Sequence, residues 1–194
     1  MNDDNQGGFE LLHPQDGAKV LKGFVAQGTI GGDVFSVSGR LVSSQVPQVT
    51  YPVSVKLSTS SWAMIFVGLC VNHQYRLEIL DQEGDIIATS NITVQSSGAG
   101  TVMWYPGDGE EVGPELWPYG ETTELDNVPL ECVKVCDAAD CSGTTYGGVI
   151  EYRESGFWTA KFPASGQIPA GSYWVKVGKK ADCSDAAVNQ VDVS

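Results

Sequence analysis

Histidine is rare in this sequence of 194 residues, whereas acidic residues are abundant. Paired carboxylates could serve catalysis, but the spacing singles out no pair. The two histidines are His13, beside a proline at a predicted strand end, and His73, in a predicted turn. A serine hydrolase needs a nucleophile, a base and an orienting acid in one place, and a zinc enzyme needs about three ligands and an open position. We interpret both histidines as surface turn residues and predict that the chain is not an enzyme and has no cofactor.

Three acidic loops offer carboxylates to a calcium ion, at residues 107–111, 137–140 and 182–185. None has the Asp-x-Asp-x-Asp-Gly spacing that wraps oxygen ligands around one ion. We interpret these loops as solvated turns and predict no metal site.

The cysteines are the next chemical group, and four of the five lie in the second half, at Cys132, Cys136, Cys141 and Cys183. On one strand, Cys132 and Cys136 would be roughly 13 Å apart, beyond the reach of a disulfide. Two pairings therefore remain for a disulfide framework, with reduced thiols or a zinc site as alternatives. Disulfides would indicate an oxidising compartment. We expect Cys70, which has no partner, to be a small buried residue.

Three aromatic residues form the best candidate for a ligand-binding site. Trp117 and Tyr119 are two residues apart in "ELWPYGE", and Trp174 alternates with the predicted core residues Tyr173 and Val175. Exposed flat rings stack on sugars or anchor a protein partner. The alternative interpretation is that at least one of these rings fills the sandwich or the gap between the repeats.

The elements that must position these side chains are set by an internal repeat. His13–Val20 (HPQDGAKV) corresponds to Tyr105–Val112 (YPGDGEEV) at an offset of 92 residues. Further pairs follow in chain order at offsets of 96, 98 and 99 residues, namely Trp62 with Trp158, Tyr75 with Tyr173 and Val94 with Val193. Slowly growing offsets are typical of duplication followed by loop insertion. We predict two domains, residues 1–97 and 98–194, with the boundary in the short linker Ser96 to Gly100.

Within each repeat the apolar residues alternate with polar ones, as in Val53, Val55 and Leu57. This period of two indicates strands, and breaks rich in Gly, Pro, Asp and Ser separate them. We predict about seven strands per repeat, near 9–12, 22–30, 33–43, 50–57, 60–67, 73–80 and 86–95, and then near 101–105, 114–122, 129–136, 146–153, 156–162, 171–178 and 188–194. Seven short strands in about a hundred residues are typical of a β-sandwich.

Three motifs occur in both repeats: Pro-x-Asp-Gly-x-x-Val, Trp-x-x-x-Phe and Tyr-x-[Leu/Val]-x-[Ile/Val]. With them the chain resembles the immunoglobulin-like modules of bacterial surface and secreted proteins. The resemblance implies an all-β fold of two tandem immunoglobulin-like antiparallel β-sandwiches. It also implies that Tyr75 and Tyr173 stand at tyrosine corners, where the hydroxyl bonds back to the main chain.

The same resemblance bears on the cysteines. In an immunoglobulin-like sheet the third strand runs beside the sixth, which favours Cys132 with Cys183 and leaves Cys136 to pair with Cys141. The first repeat holds only Cys70, so the chain departs from antibody-type domains, which carry a disulfide between their two sheets.

Charge and hydropathy limit the possible partners. The chain has 24 acidic and 11 basic residues and a net charge of −13, with 9 acids and 5 bases in residues 1–97 and 15 and 6 in residues 98–194. Nucleic acid and anionic membranes would be repelled, and no stretch approaches the roughly 20 apolar residues of a membrane span. "MNDDNQGG" lacks the features of a secretory signal, so we expect either a cytosolic protein or, as we favour, a mature segment behind a new start Met.

These observations together predict a non-catalytic extracytoplasmic module of a cell-surface or secreted protein. Its role would be that of a structural spacer or of an adhesive, protein-binding segment, as a monomer or as part of a larger chain. The alternative is a carbohydrate-binding module that uses exposed aromatic residues.

Overall fold

The structure, a computed structural model, describes residues 8–43, 45, 48–96, 101–122 and 128–194, and in these ranges it consists of strands, turns and loops without a helix. The chain divides into two compact units, Met1–Ser96 and Ser97–Ser194. Most of the predicted linker, residues 97–100, lies outside the described residues, so the position of the boundary stays a prediction. Among the described residues there is no helix long and apolar enough to cross a membrane.

In the part of the first unit that the structure describes, there are nine strands in two sheets. A four-stranded sheet has the order β1-β3-β7-β6, and a five-stranded sheet has the order β2-β9-β8-β4-β5. The strands are β1 (Glu10–His13), β2 (Ala18–Val20), β3 (Phe24–Thr29), β4 (Ser38–Ser43), β5 (Val49–Thr50), β6 (Ser54–Leu57), β7 (Ser61–Phe66), β8 (Gln74–Leu80) and β9 (Ile86–Val94).

The second unit repeats this arrangement with nine more strands. Its sheets have the orders β10-β12-β16-β15 and β11-β18-β17-β13-β14. The strands are β10 (Val102–Tyr105), β11 (Glu110–Val112), β12 (Tyr119–Glu121), β13 (Cys132–Cys136), β14 (Thr145–Gly147), β15 (Val149–Glu154), β16 (Phe157–Lys161), β17 (Gly171–Gly178) and β18 (Ala187–Val193).

Both units have the immunoglobulin-like strand order. In the usual lettering, the four-stranded sheets read A-B-E-D and the five-stranded sheets read A′-G-F-C-C′. The predicted all-β fold of two tandem immunoglobulin-like sandwiches is confirmed. One detail differs from the expected antiparallel pairing: β2 pairs with β9, and β11 with β18, in parallel. The segment that opens each unit contributes a strand to both sheets, and its second strand therefore runs beside the last strand in the same direction.

A glycine opposite a tryptophan fixes the four-stranded sheet of each unit. Gly28 pairs with Trp62, and Gly120 pairs with Trp158. A Cβ on Gly28 would lie 1.9 Å from the Glu10 carbonyl oxygen, and a Cβ on Gly120 would lie 1.8 Å from that of Val102. Both tryptophans are at most 1% exposed. The repeated Trp therefore needs a glycine on the neighbouring strand, which leaves room for the indole and for the approach of a third strand.

The repeated Asp-Gly motif ties the start of each unit to its last strand. Asp16 Oδ1 accepts a hydrogen bond from the Asn91 main-chain N–H at 2.8 Å, and Asp108 Oδ1 accepts one from Gln190 N–H at 2.9 Å. The following glycine has φ of 79° at Gly17 and donates its N–H to the Asn91 carbonyl. The motif thus closes the turn onto β9 and onto β18, which is a structural role.

Proline interrupts two of the predicted strands. The stretch predicted as one strand at 50–57 is divided into β5 and β6 around Pro52, which has no N–H to donate. The stretch predicted at 114–122 keeps only β12 and an isolated bridge between Leu116 and Phe162, with Pro118 between them. On the edge strand β6, the side chain of Val55 is 43% exposed, so its alternating pattern does not mark a fully buried face.

Candidate functional site

Two disulfides are present in the second unit, joining Cys132 to Cys183 and Cys136 to Cys141, the pairing that the resemblance to immunoglobulin-like modules favoured. Cys132 and Cys136 lie on β13 opposite Gly178 and Trp174 of β17. Val135, between them, is fully buried on the other side of the strand. The disulfides therefore lie on the outer face of the five-stranded sheet, the face turned away from the four-stranded sheet.

Two loops, residues 137–144 and residues 179–186, lie over this outer face in the second unit. Lys134 Nζ donates a hydrogen bond to the Ala181 carbonyl at 3.1 Å, and Lys176 Nζ donates one to the Ala139 carbonyl. A Cβ on Gly178 would lie 2.7 Å from Ala186 Cα, which shows how closely the loop of residues 179–186 approaches β17. Each loop is held by one disulfide and one lysine. The cysteines of β13 have no exposed surface as a result.

The structure does not bring the three predicted aromatic residues together on a surface. Trp117 is 4% exposed, and Tyr119 is fully buried, with its ring stacked on Tyr105 at a centroid distance of 6.0 Å. Trp174 is half-buried on the outer face of β17, and β12 and β17 belong to different sheets. The prediction of an exposed cluster is wrong for Trp117 and Tyr119, because both rings fill the interior.

Lys161 accounts for the position of the Trp117 ring. Its Nζ lies 5.7 Å from the ring centroid and 3.9 Å from Glu115 Oε1. An ammonium group at this distance is attracted by the electrons of the indole face. One face of the ring is therefore engaged within the second unit.

Two other residues differ from their predicted surroundings. His13 is 9% exposed on β1, and burial lowers the pKa of its imidazole from 6.5 to about 3, so it is a neutral interior residue and not a surface turn residue. Cys70 is exposed, whereas a buried thiol was expected. Its main-chain N–H donates to the Tyr75 hydroxyl at 3.3 Å, which is the back-bond of a tyrosine corner.

A group of three carboxylates lies in the turn between β8 and β9, where the sequence analysis did not place one. Single oxygens of Asp81, Glu83 and Asp85 lie within 4.8 Å of one another. Asp81 Oδ1 accepts the main-chain N–H groups of Glu83 and Asp85, each at 2.9 Å. These bonds explain the group as a turn in which the first side chain caps the main chain.

The outer face of the first unit's five-stranded sheet carries a buried carboxylate between two guanidinium groups. Glu78 is 1% exposed, with Oε2 at 2.7 Å from Arg40 Nε and Oε1 bonded to Arg76 Nη2. Burial opposes ionisation of Glu78, but the hydrogen bonds and charges of Arg40 and Arg76 outweigh it and hold its pKa below the usual value. Glu78 is therefore ionised at neutral pH, and the three side chains together carry a net charge of +1.

A groove with a volume of about 540 Å³ lies beside this charged group. Six of the nine described residues that line it have polar side chains, and none of the nine is a histidine, a cysteine or an acid. The residues are Gly17, Val42, Ser43, Gln74, Tyr75, Arg76, Asn91, Ile92 and Thr93. No motif in the sequence predicted this site. The signal that marks it is the pattern Arg76-x-Glu78, in which two charges share one face of a strand whose other face is apolar.

No protein-family model matches the sequence, and no curated protein matches it. Among solved structures, the titin domains Z1Z2 in complex with telethonin are 14% identical, cover 95% of this chain and 94% of their own, and give a TM-score of 0.30. The fibronectin(III)-like modules of Clostridium thermocellum CbhA are 13% identical, with coverage of 96% and 93% and a TM-score of 0.31. A Bacteroides ovatus SGBP-B in complex with a mixed-linkage heptasaccharide is 13% identical, with coverage of 91% and 43% and a TM-score of 0.29. At these values the likeness carries no functional information, and the immunoglobulin-like assignment rests on the strand order of the two units.

Proposed function

We propose that the chain is a non-catalytic extracytoplasmic module of a cell-surface or secreted protein, where it acts as a structural spacer or as an adhesive, protein-binding segment. The observation that carries this proposal is the pair of disulfides in the second unit. Disulfides persist in oxidising compartments and are rare where thioredoxin and glutathione keep thiols reduced. Here they hold loops over a sheet face, as expected for structural bonds in a module outside the cytoplasm.

The surroundings of the two histidines support a non-catalytic role. The imidazole of His13 is buried and neutral, and His73 Nδ1 lies 3.2 Å from the Val71 carbonyl within its own turn. Neither histidine lines the groove of the first unit. A small hydrolase would need one of them beside a nucleophile in a concave site.

The exposed thiol of Cys70 allows a direct test of the compartment. A membrane-impermeant maleimide added to intact cells that produce the protein should label Cys70, because it is exposed and has no disulfide partner. The variant Cys70→Ser should remain unlabelled unless the disulfides are first reduced. Labelling that appears only after lysis would contradict an extracytoplasmic location.

A carbohydrate-binding role is the second candidate, and one observation favours it. The groove of the first unit combines the carboxamides of Gln74 and Asn91 with the hydroxyls of Ser43 and Thr93. Such side chains hydrogen-bond sugar hydroxyls. This form of the candidate depends on polar groups and not on the stacking of Trp117 or Tyr119.

A further inference from the structure

The first unit contains a long stretch of sequence without acidic residues. Residues 34–77 include no Asp or Glu, although the whole chain has 24 acids. The same stretch has three bases, Arg40, Lys56 and Arg76, so its formal charge is +3 in a chain of −13. This stretch is therefore opposite in charge to the chain as a whole, although Asp16, which bonds Asn91, adds a carboxylate beside the groove.

Two of these bases are held in place on the outer face of the five-stranded sheet. Arg40 and Arg76 each donate to Glu78, which is almost fully buried beneath them. The guanidinium side chains remain 39% and 56% exposed. Each guanidinium has five N–H donors in a fixed plane, so one bond to Glu78 leaves further donors for a ligand. Their shared anchor fixes their orientation before a ligand arrives, which lowers the entropic cost of binding.

The groove continues from Arg76 over polar side chains. Val42, Arg76 and Asn91 lie directly opposite one another on β4, β8 and β9, and Gln74 lies opposite Thr93 in the next row. The Asn91 side chain is fixed, because its Nδ2 donates to Asp16 Oδ1 at 2.9 Å. A volume of about 540 Å³ falls within the range of small-ligand sites.

The position of the groove excludes one mode of peptide binding. In that mode a peptide adds a strand to a sheet by main-chain pairing at an edge strand. The groove lies on β4, β8 and β9, each of which already has a neighbouring strand on both sides. The main-chain groups there are committed to the sheet, and recognition must use side chains. Carboxamides and hydroxyls beside a guanidinium suit a ligand that carries hydroxyls and a carboxylate.

The corresponding face of the second unit is partly covered. Cys136, Trp174 and Gln190 occupy the row that Val42, Arg76 and Asn91 occupy in the first unit. There, loops tied by disulfides and lysines cover the strands. The open, cationic face is therefore specific to the first unit and is not a general property of this fold.

We propose that the groove of the first unit binds an acidic oligosaccharide, one that contains uronic acid residues. The ligand carboxylate would bond Arg76 and Arg40, and its hydroxyls would bond Gln74, Asn91 and Thr93. This inference rests on the carbohydrate-binding candidate above, and it does not depend on the compartment.

Calorimetric titration of the full chain tests the proposal. The probes are short oligomers of galacturonic, glucuronic and mannuronic acid, the neutral oligomers of galactose, glucose and mannose, and tri-glutamate. At least one acidic sugar should bind, more weakly at high salt, and its neutral counterpart and tri-glutamate should bind at least about tenfold more weakly. The proposal is overturned if no acidic sugar binds, if the neutral sugars bind equally well, or if tri-glutamate binds as tightly.

Three variants locate the site. Arg76→Gln should weaken binding of the acidic sugar by about tenfold or more. Lys56→Gln, the matched control, removes the same charge from β6 in the other sheet and should change binding less than about twofold. Val42→Glu leaves Glu78 and both arginines in place but sets a carboxylate opposite Arg76, so it should abolish binding even if Arg76→Gln fails to fold. Equal losses in Arg76→Gln and Lys56→Gln, or unchanged binding in Val42→Glu, would overturn the assignment. Cys70 labelling is independent of these results, so failure of the groove and failure of the proposed location can be told apart.

Discussion

At the scale of single residues, several repeated positions are explained by close packing. The pair of Gly28 with Trp62 recurs as Gly120 with Trp158, and both glycines leave no room for a Cβ. The sequence repeat identified the tryptophans but not their glycine partners. Each glycine lies on a neighbouring strand, and only the register of the two strands shows that the tryptophan requires a glycine opposite it.

Replacement of one of these glycines should destabilise its unit. Gly120→Ala places a Cβ 1.8 Å from the Val102 carbonyl oxygen, so the strands must move apart, at a cost of about 3 kcal/mol in the free energy of unfolding. Gly147→Ala is the matched control, since nothing lies within 4 Å of its Cβ position. Urea unfolding should show a change below about 0.5 kcal/mol for the control. Similar losses for the two variants would contradict the packing argument.

His13 should make the first unit sensitive to acid. Burial lowers its pKa from 6.5 to about 3, so below pH 6.5 the unfolded chain takes up a proton that the folded chain does not. The contribution of neutral His13 to the free energy of unfolding is complete above pH 6.5. As the pH falls from 6.5 to about 3, this contribution decreases by about 1.4 kcal/mol per pH unit.

The variant His13→Tyr, which introduces the residue found at the corresponding position 105, isolates this effect. Between pH 7 and pH 5 the parent chain should lose about 2 kcal/mol more unfolding free energy than the variant, as measured by urea titration. Parallel pH profiles for the two proteins would show that His13 is protonated in the folded state.

At the scale of elements, the number of sandwiches was predictable from the repeat and from the alternating apolar pattern, and the strand order only from the resemblance to immunoglobulin-like modules. About seven strands per unit were predicted, and nine are described in each. The parallel pairing of β2 with β9 and of β11 with β18 was not predicted, because it depends on the opening segment crossing from one sheet to the other, which leaves no periodic signal. The aromatic site failed for a related reason. Alternation tells which residues share a face, but "ELWPYGE" contains Pro118, which breaks the strand on which that inference depends.

The two disulfides should contribute unequally to the second unit. Cys132 and Cys183 are 51 residues apart, and Cys136 and Cys141 are 5 apart. Loop-closure entropy then gives losses of about 4 kcal/mol for the double variant Cys132→Ser with Cys183→Ser and about 2 kcal/mol for Cys136→Ser with Cys141→Ser.

Hydrogen exchange provides the readout and an internal control for these variants. Protection of the buried β17 amides, such as those of Val175 and Val177, should fall in both double variants and more in the first. Protection of Leu77 and Ile79 in the first unit should be unchanged. Equal losses in the two variants would contradict the entropic account, and a matching loss in the first unit would show that the units do not unfold independently.

At the scale of the whole molecule, the two copies of one fold differ in how they treat the same outer face. In the second unit this face is partly covered by loops that disulfides hold in place, and in the first it is open and carries Arg40 and Arg76. The sequence shows the cysteines directly. It does not show the groove, because the residues that line it come from separate strands and belong together only once their register is known.

We propose that this chain is an extracytoplasmic module, and its second unit is held by two disulfides. The most direct measurement is a thiol count and peptide map on protein isolated from the cells that make it, with thiols blocked at lysis. The denatured, unreduced protein should have one reactive thiol, at Cys70, and five after reduction. Digestion should recover Cys132 linked to Cys183 and Cys136 linked to Cys141. Five blocked thiols before reduction would contradict both the disulfides and the extracytoplasmic location.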